Sequence, residues 1–332
     1  MALPAASSPR REAGLLLLCS IGVYLYTLGC GFVYDDVALT VLENPALTGE
    51  ASAWDVLGWD RPLREFTYML DHALWGFSPA GYHLQNLLWH GANTLLLFAF
   101  LRLLGLASPL PFWTALLFAL HPIQTEAVAW VSGRKELLCL FFELLACFLY
   151  LRALARPVFD RKAAVLYAGC GLALLLALLS KQVAAAAPLL LFGSAWLFAR
   201  LHHLPLDWKR QGRFLLGPLA LTSFFILYQY GLFERLELMQ DRGTYYDPAA
   251  REVSYTPLSA VLTPLAVFGQ SLWLSLWPLD LTIERGFAPV VAWADLRWLA
   301  GLLGAALWSG IAWACRARQP AIAFGLFWWL AA

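Results

Sequence analysis

Charge is rationed along this chain in a way that leaves little choice of architecture. Windows of roughly 20 residues or more without Asp, Glu, Lys or Arg recur at 13–34, 72–101, 103–125, 163–180, 182–199, 214–233, 253–279 and 298–315, and a further run, 137–151, is broken only by Glu143. A helix needs about 20 apolar residues to cross ~30 Å of hydrocarbon, and inside lipid only helices or closed barrels satisfy their own backbone. Nine such runs predict an all-α, multi-span membrane protein. The tail, 319–332, is apolar but short and ends within its pattern, as a span would if the chain were one piece of a longer protein. Residues 1–332 read as a single transmembrane domain.

Composition excludes the competing classes. Of 332 residues, 61% are apolar and 14% charged, against roughly 45–50% and 25% in soluble domains. The 23 basic and 22 acidic residues leave a net charge of +1, so there is no bulk field to attract nucleic acid. The six cysteines lie in or at the end of apolar runs and have no zinc-ligand spacing, which reads as small core residues. Arg10 and Arg11 precede an apolar stretch that is too long for a signal peptide and lacks a small-x-small cleavage site, so the first span is expected to stay uncleaved with its N-terminus in the cytoplasm.

The loops alternate in charge. Residues 35–80 carry eight acids and two bases, whereas 152–162 and 200–213 each carry four bases and one acid. The positive-inside rule places the two basic loops in the cytoplasm. Segments 35–80, 121–136 and the turn around Ser180–Lys181–Gln182 then share the extracytoplasmic face, as does a second long loop at 233–260. Beyond residue 253, simple alternation would put Arg316 and Arg318 outside, and a re-entrant 262–279 segment would return them inside. Within the first loop (31–80), Leu63, Phe66, Leu70, Leu74 and Phe77 fall at helical spacing, with Arg64, Glu65, Asp71 and His72 on other faces; this predicts an amphipathic helix on the membrane surface.

Ionisable and polar residues near span ends are costly to place in lipid and so mark sites. Asp35 and Asp36 follow the first span directly. Two adjacent carboxylates could divide the work of a general base and an orienting group, or hold a divalent ion; a solvated acid pair at the interface is the plainer alternative. His83, Asn86, His90 and Asn93 fall within one ~80° arc of a helix, a stripe suited to hydrogen bonds between helices or to a wet cavity. The stretch 121–136 brings His121, Glu126, Arg134, Lys135 and Glu136 to one end of adjacent spans, and Lys181 ends another. Arg134, Lys135 and Lys181 suit a lipid-linked phosphate, or equally headgroup contact and helix capping. Glu143 reads equally as a partnered structural acid or as a cavity wall.

These segments, in this order, resemble a known family. Tyr-Asp-Asp (34–36), Arg-Pro-Leu (61–63), Gly-Tyr-His-Leu-Gln-Asn (81–86) with His90, the block 121–136 and Leu-Ser-Lys (179–181) are similar to the membrane region of the transmembrane and tetratricopeptide-repeat O-mannosyltransferases and their bacterial relatives. The likeness covers about 13–200 and thins beyond, where Trp-Pro-Leu-Asp-Leu-Thr (277–282) is a weaker echo. Gln124 stands where the family usually has a second His, and Gln182 where it has Glu.

The resemblance implies a C-type glycosyltransferase fold whose first extracytoplasmic loop bears the catalytic acids and whose donor is a polyprenyl- or dolichyl-phosphate sugar. Carried over by position, Asp35 and Asp36 are the acid motif. Arg61, Arg134, Lys135 and Lys181 are candidates for the donor phosphate, and His83, His90, His121 and Glu126 line the site. The expected reaction is inverting transfer of mannose or a similar hexose to a Ser/Thr hydroxyl of an extracytoplasmic protein. The membrane would be the bacterial inner membrane, or the endoplasmic reticulum in a eukaryote. Transfer to a lipid or glycan acceptor is the enzymatic alternative, and a polyprenol-lipid flippase the non-enzymatic one.

Overall fold

The computed structural model describes residues 8–59, 61–156, 158–204, 208–235, 244–245, 253–254, 257–279, 281–282 and 288–331. The chain clusters into two compact units, Met1–Phe225 with Ala331–Ala332, and Ile226–Leu330.

The first unit opens with α1 (Pro9–Gly22), started by Ser8, whose hydroxyl caps the Arg11 amide, and by Pro9 at the first helical position. A 3₁₀ turn, Leu25–Gly29, prolongs it. Short helices α2 (Pro45–Thr48) and α3 (Ala53–Val56) follow, then α4 (Pro62–Trp75) and α5 (Pro79–Leu104). Next come α6 (Leu110–Leu120), α7 (Gln124–Ala129), α8 (Arg134–Leu154), α9 (Arg161–Ser180) and α10 (Ala187–Leu201). The last helix, α11 (Trp208–Arg235), runs across the boundary between the units.

Among the described residues seven helical segments are long and apolar enough to cross a membrane, fewer than the nine apolar runs. The longest helical stretch in the window 103–125 is the 11 residues of α6. Pro122 holds the preceding residue, His121, in extended backbone (φ −67°, ψ 126°), and the helix stops at Leu120. Window 214–233 lies inside α11, whose apolar part is Phe214–Tyr228. Most of the loop expected at 233–260 lies outside the described residues; Thr244–Tyr245 there pairs antiparallel with Val253–Ser254.

A helix is present at the expected place as α4, and its polar side is the side that the protein covers. Glu65, Tyr68 and Asp71 are buried, while Leu70, Leu74 and the following Phe77 are exposed. In a membrane protein this is the sensible arrangement, because apolar side chains can face lipid and polar ones need protein partners. The polar stripe of α5 follows the same rule. Asn86 Nδ2 donates to the carbonyls of Val128 (3.3 Å) and Trp130 (2.9 Å), and Asn93 Nδ2 to that of Leu137 (2.9 Å). Hydrogen bonding between segments is thus the role the structure gives this stripe. All six cysteines are free; Cys139, Cys147 and Cys170 are buried core residues, whereas Cys19 and Cys315 are half-buried and Cys30 is exposed.

In the second unit, α12 (Pro257–Leu276) is one continuous helix of 20 residues, not a re-entrant turn. It packs on α13 (Arg297–Cys315), and α14 (Pro320–Ala331) joins them through Trp308 Nε1 donating to the Leu326 carbonyl (3.0 Å) and Trp329 Nε1 to Ser275 Oγ (3.2 Å). The crossing of α12 and α13 is set by Gly269 and Gly301. A Cβ on Gly301 would run into the Leu265 carbonyl, and one on Gly269 would lie 2.9 Å from the Gly301 backbone. Small residues let membrane helices approach this closely. Gly310, on the same helix, has open space around it. Gly301→Ala should therefore destabilise the detergent-solubilised protein by about 1–3 kcal/mol, whereas Gly310→Ala should be neutral or stabilising by up to about 1 kcal/mol. Thermal unfolding of the two variants reads the difference, and equal stability would mean that the crossing is not so tight.

Candidate functional site

Three segments meet at one end of the first unit: the loop after α1, the helix α4 with the start of α5, and the stretch 121–136 leading into α8. Their meeting point is Arg134. It is wholly buried, as is its partner Asp71. Its Nη1 pairs with the Asp71 carboxylate and reaches Thr67 Oγ1 (3.3 Å), Nη2 donates to the Tyr82 carbonyl (2.8 Å), and Nε donates to Asn86 Oδ1 (2.9 Å). The guanidinium also lies 4.7 Å from the Tyr68 ring centroid. Burial pushes the Asp71 carboxyl up, and the Arg134 charge and hydrogen bond beside it pull it back. The structure therefore puts Arg134 inside the protein as a strut between α4, α5 and α8, away from any surface that a donor phosphate could reach.

The segment just before Arg134 holds the acid loop. Residues Asp36–Thr40 form a single π-type turn. The Ser132 amide donates to Asp36 Oδ1 (2.9 Å) and the Val33 amide to Oδ2 (3.3 Å). The Ser132 hydroxyl bonds to Thr40 Oγ1 (3.1 Å), which in turn donates to the Asp35 carbonyl (2.8 Å). Asp36 is 0% exposed; burial pushes its pKa up and these hydrogen bonds pull it back. Asp35 is half-buried and lies at the start of the turn. Tyr34, just before it, has φ 50°, a left-handed conformation that is uncommon for a large side chain and costs about 1–3 kcal/mol. The acid pair is thus unequal, one carboxylate tied into the protein and one at its edge.

From the acid loop a second chain of bonds runs to α4. Asn44 Nδ2 donates to the Thr40 carbonyl (3.0 Å) and to Glu65 Oε2 (2.7 Å), and Arg64 Nε donates to Glu65 Oε1 (2.7 Å). Tyr68, buried beneath, donates to the Val131 carbonyl (2.9 Å). Gly133 is required at its position, since a Cβ there would lie 2.7 Å from the carbonyl oxygens of both Glu126 and Ala127.

The remaining candidates divide between this end and elsewhere. Lys135 lies 5.0 Å above the Trp130 ring, with Arg61, Arg64, Glu136 and Lys181 within electrostatic reach. Lys181 Nζ donates to both oxygens of Glu136 (2.7 and 2.6 Å), about a third of each side chain remaining exposed. Glu143 is buried on the same helix, within electrostatic reach of Lys181 and Glu136. Glu126 is exposed on α7, and His121 accepts the Ile123 amide at Nδ1 (3.3 Å). His83 is buried near the Gly31 backbone, beside the acid loop. His90 sits apart from the group, inside the bundle, with Nε2 3.1 Å from the Ala119 carbonyl and its ring edge-on to Tyr24.

Sequence reasoning passed over Thr67, Tyr68, Asp71 and Ser132 as site residues, yet they fix the site. The polar positions of α4, 61, 64, 65, 68 and 71, recur at helical spacing just as the stripe of α5 does, and that was the available signal. Among the described residues no group of three or more His, Cys, Asp or Glu side chains is placed to hold a metal ion. Asp35 and Asp36 are two adjacent carboxylates, and Asp36 already accepts two backbone amides.

No family model and no solved structure matches the chain. Curated proteins do. Protein O-mannosyl-transferase Tmtc1 of Drosophila melanogaster is 32% identical over 329 residues, covering 87% of this chain and 37% of its own length. Protein O-mannosyl-transferase TMTC2 of Homo sapiens is 29% identical over 289 residues, covering 80% and 34%. Protein O-mannosyl-transferase Tmtc2 of Drosophila melanogaster is 39% identical over 161 residues, covering 41% and 16%. The chain thus spans little more than a third of the length of these relatives, or less.

The buried pair at the centre of the site has a measurable signature. Removing one partner of a buried ion pair costs about 3–5 kcal/mol, because the other charge is stranded. Asp71→Leu and Arg134→Met should each lower stability by that amount in urea unfolding of the solubilised protein. The double variant should lose less than the sum of the two. Additive losses would mean that the two side chains do not act as a pair.

Proposed function

Because the chain belongs to the family of transmembrane and tetratricopeptide-repeat protein O-mannosyl-transferases, we propose that it is the membrane part of an inverting glycosyltransferase. The reaction moves a hexose, mannose by analogy with the names of the relatives, from a polyprenyl-phosphate donor to a Ser or Thr hydroxyl of a protein. The observation that carries this reading is the unequal acid pair, one carboxylate anchored and one open, built onto the same segment as a cluster of cations.

In this reading Asp36 positions the loop and Asp35 is the base. The acceptor hydroxyl gives its proton to an Asp35 oxygen as its own oxygen bonds to the anomeric carbon. The bond from that carbon to the phosphate oxygen breaks on the opposite face, and its electron pair leaves with the phosphate. Configuration inverts in one displacement. Phosphate is a good leaving group, so cations aimed at the charge that develops on it replace a general acid. Among the described residues Arg61, Arg64, Lys135 and Lys181 are cations at this end with some surface exposure; Arg61, Lys135 and Lys181 take that role, whereas Arg64 pairs with Glu65 and Arg134 holds the scaffold.

Asp35→Asn should reduce transfer from a labelled lipid-phosphate mannose by about 10²–10⁴-fold with donor binding intact. Asp36→Asn should reduce transfer and also lower thermal stability, since it alters a buried, hydrogen-bonded carboxylate. Full activity in both variants and in the double variant would remove the acid pair from the mechanism.

The reaction also requires the acid loop and the 121–136 segment to face away from the cytoplasm, where the acceptor protein and the donor headgroup would meet. The charge asymmetry of the loops supports this orientation. Ser52, Pro122 and His203 are all exposed, the last at the other end of α10. With the native cysteines removed, single cysteines at 52 and 122 should react with an impermeant maleimide in intact cells or sealed, correctly oriented vesicles, and one at 203 should not. The reverse pattern would put the acids in the cytoplasm and exclude the mechanism.

A further inference from the structure

A cavity of about 200 Å³ opens beside the acid loop's anchor, walled by Glu126, Trp130, Gly133, Lys135 and Glu136 with Ile123 and Ala127. The transfer reaction as described uses only Lys135 among these. Four features of the cavity narrow what it takes. Two carboxylates line it, and a carboxylate accepts hydrogen bonds, so they suit a ligand rich in hydroxyls and not a second phosphate. The Trp130 indole N–H is buried with no partner among the described residues, and a buried donor of this kind calls for an acceptor oxygen. The indole ring itself offers an apolar surface for the C–H face of a ring. The fourth feature is size: a cavity of about 150 Å³ takes one benzene, so this one matches a single six-membered ring carrying substituents, not a peptide.

The placement relative to the cations is equally specific. Lys135 forms one wall, and Arg61, Arg64 and Lys181 lie within its electrostatic reach. The Asp36 carboxylate is bonded to the amide of Ser132, the residue before the cavity's Gly133. A ligand whose polyhydroxylated ring filled the cavity would therefore hold an attached phosphate among the cations.

We infer that this cavity is the hexose subsite of the donor: Glu126 and Glu136 accept ring hydroxyls, the Trp130 indole N–H donates to a sugar oxygen, and these three side chains determine which sugar is recognised. The inference rests on the proposed transferase reading and adds to it the place and chemistry of sugar selection. Glu136 has a double duty here, since its carboxylate also holds Lys181. The probes are therefore Glu126 and Trp130, which leave the Glu136 carboxylate in place. Glu126 is exposed, and Trp130→Phe keeps an aromatic ring under Lys135 while deleting the unpartnered donor.

The test compares two probes on the full chain in nanodiscs, a short polyprenyl phosphate and the same lipid phosphate carrying mannose. The unaltered protein should bind the mannosyl lipid more tightly. Glu126→Gln and Trp130→Phe should each weaken mannosyl-lipid binding by about 10-fold or more, the loss expected for one hydrogen bond to a charged or buried group. Binding of the bare lipid phosphate should be unchanged, which also reports that the variants are folded. The inference is overturned if the preference for the mannosyl lipid survives in both variants and in the double variant. It is overturned too if both probes weaken equally, which would make the cavity a phosphate site, or if the unaltered protein binds the two probes alike. Saturable binding of neither probe would instead bring down the transferase reading, and this inference with it.

Discussion

A guanidinium with no access to solvent organises this end of the protein. Burying a lone charge is prohibitive, and a buried pair repays the loss of water only when hydrogen bonds surround it. Arg134 meets that condition by drawing in Asp71 and Thr67 from α4, Tyr82 and Asn86 from α5, and the ring of Tyr68. Each of these groups is in turn fixed. Asn86, whose oxygen accepts from Arg134, uses its amide nitrogen to hold the Val128 and Trp130 carbonyls. Tyr68 holds the carbonyl of Val131. The irregular backbone of 128–133, which would otherwise leave bare carbonyls in an apolar setting, is satisfied by the same network that satisfies the charge. Because that backbone presents the Ser132 amide to Asp36, the position of the acid loop is a consequence of the Arg134 site.

This order of dependence explains how two neighbouring carboxylates acquire different characters. Asp36 accepts amides from both its own loop and the 131–133 turn, and it has no exposed surface. Asp35, one residue earlier, keeps some exposure, and Tyr34 before it is held left-handed. Strained backbone persists where the surroundings over-determine it, and here the Thr40 and Asp36 bonds on one side and the end of the first span on the other leave the chain little freedom. For a base that must meet a hydroxyl arriving from solvent, an anchored neighbour beside an open carboxylate is a better arrangement than two equivalent acids, whose like charges would raise each other's pKa.

Much of the fold was legible because lipid imposes a simple rule on composition. The apolar runs located each of the seven long apolar helices among the described residues, and the arc formed by His83, Asn86, His90 and Asn93 marked the buried face of α5. The count failed where apolar content and helix length part company: Pro122 closes α6 after 11 residues although its window continues to residue 125. The site was legible as a set of segments and not as a set of roles. A sequence shows that Arg134, Lys135 and Lys181 are cations near one end, but Arg134 and Lys135 are adjacent in the chain and differ only in the direction in which the helix start turns them. One is enclosed by α4 and α5, and the other lies over Trp130. What separates them is the polar side of α4, and the partners it supplies come from 63 and 67 residues away.

The cations left near the surface are not idle in this structure, and that shapes the chemistry proposed for them. Lys181 is held by both oxygens of Glu136, and Glu143 lies below, so a single ammonium faces two acids. An arriving phosphate would compete with Glu136 for Lys181 instead of meeting a bare charge. Such a site binds an anion less tightly than unopposed cations would, because each new contact replaces an existing one. For a transferase that is an advantage: the spent lipid phosphate carries more negative charge than the sugar-bearing donor and must still depart. In the proposed reaction Glu136, returning to Lys181, would supply the competing carboxylate that lets it go. In the proposed reaction the same carboxylate also lines the hexose pocket. Its hydrogen bond to the sugar and its hold on Lys181 would then exchange within a single turnover, linking the departure of the sugar to the release of the phosphate.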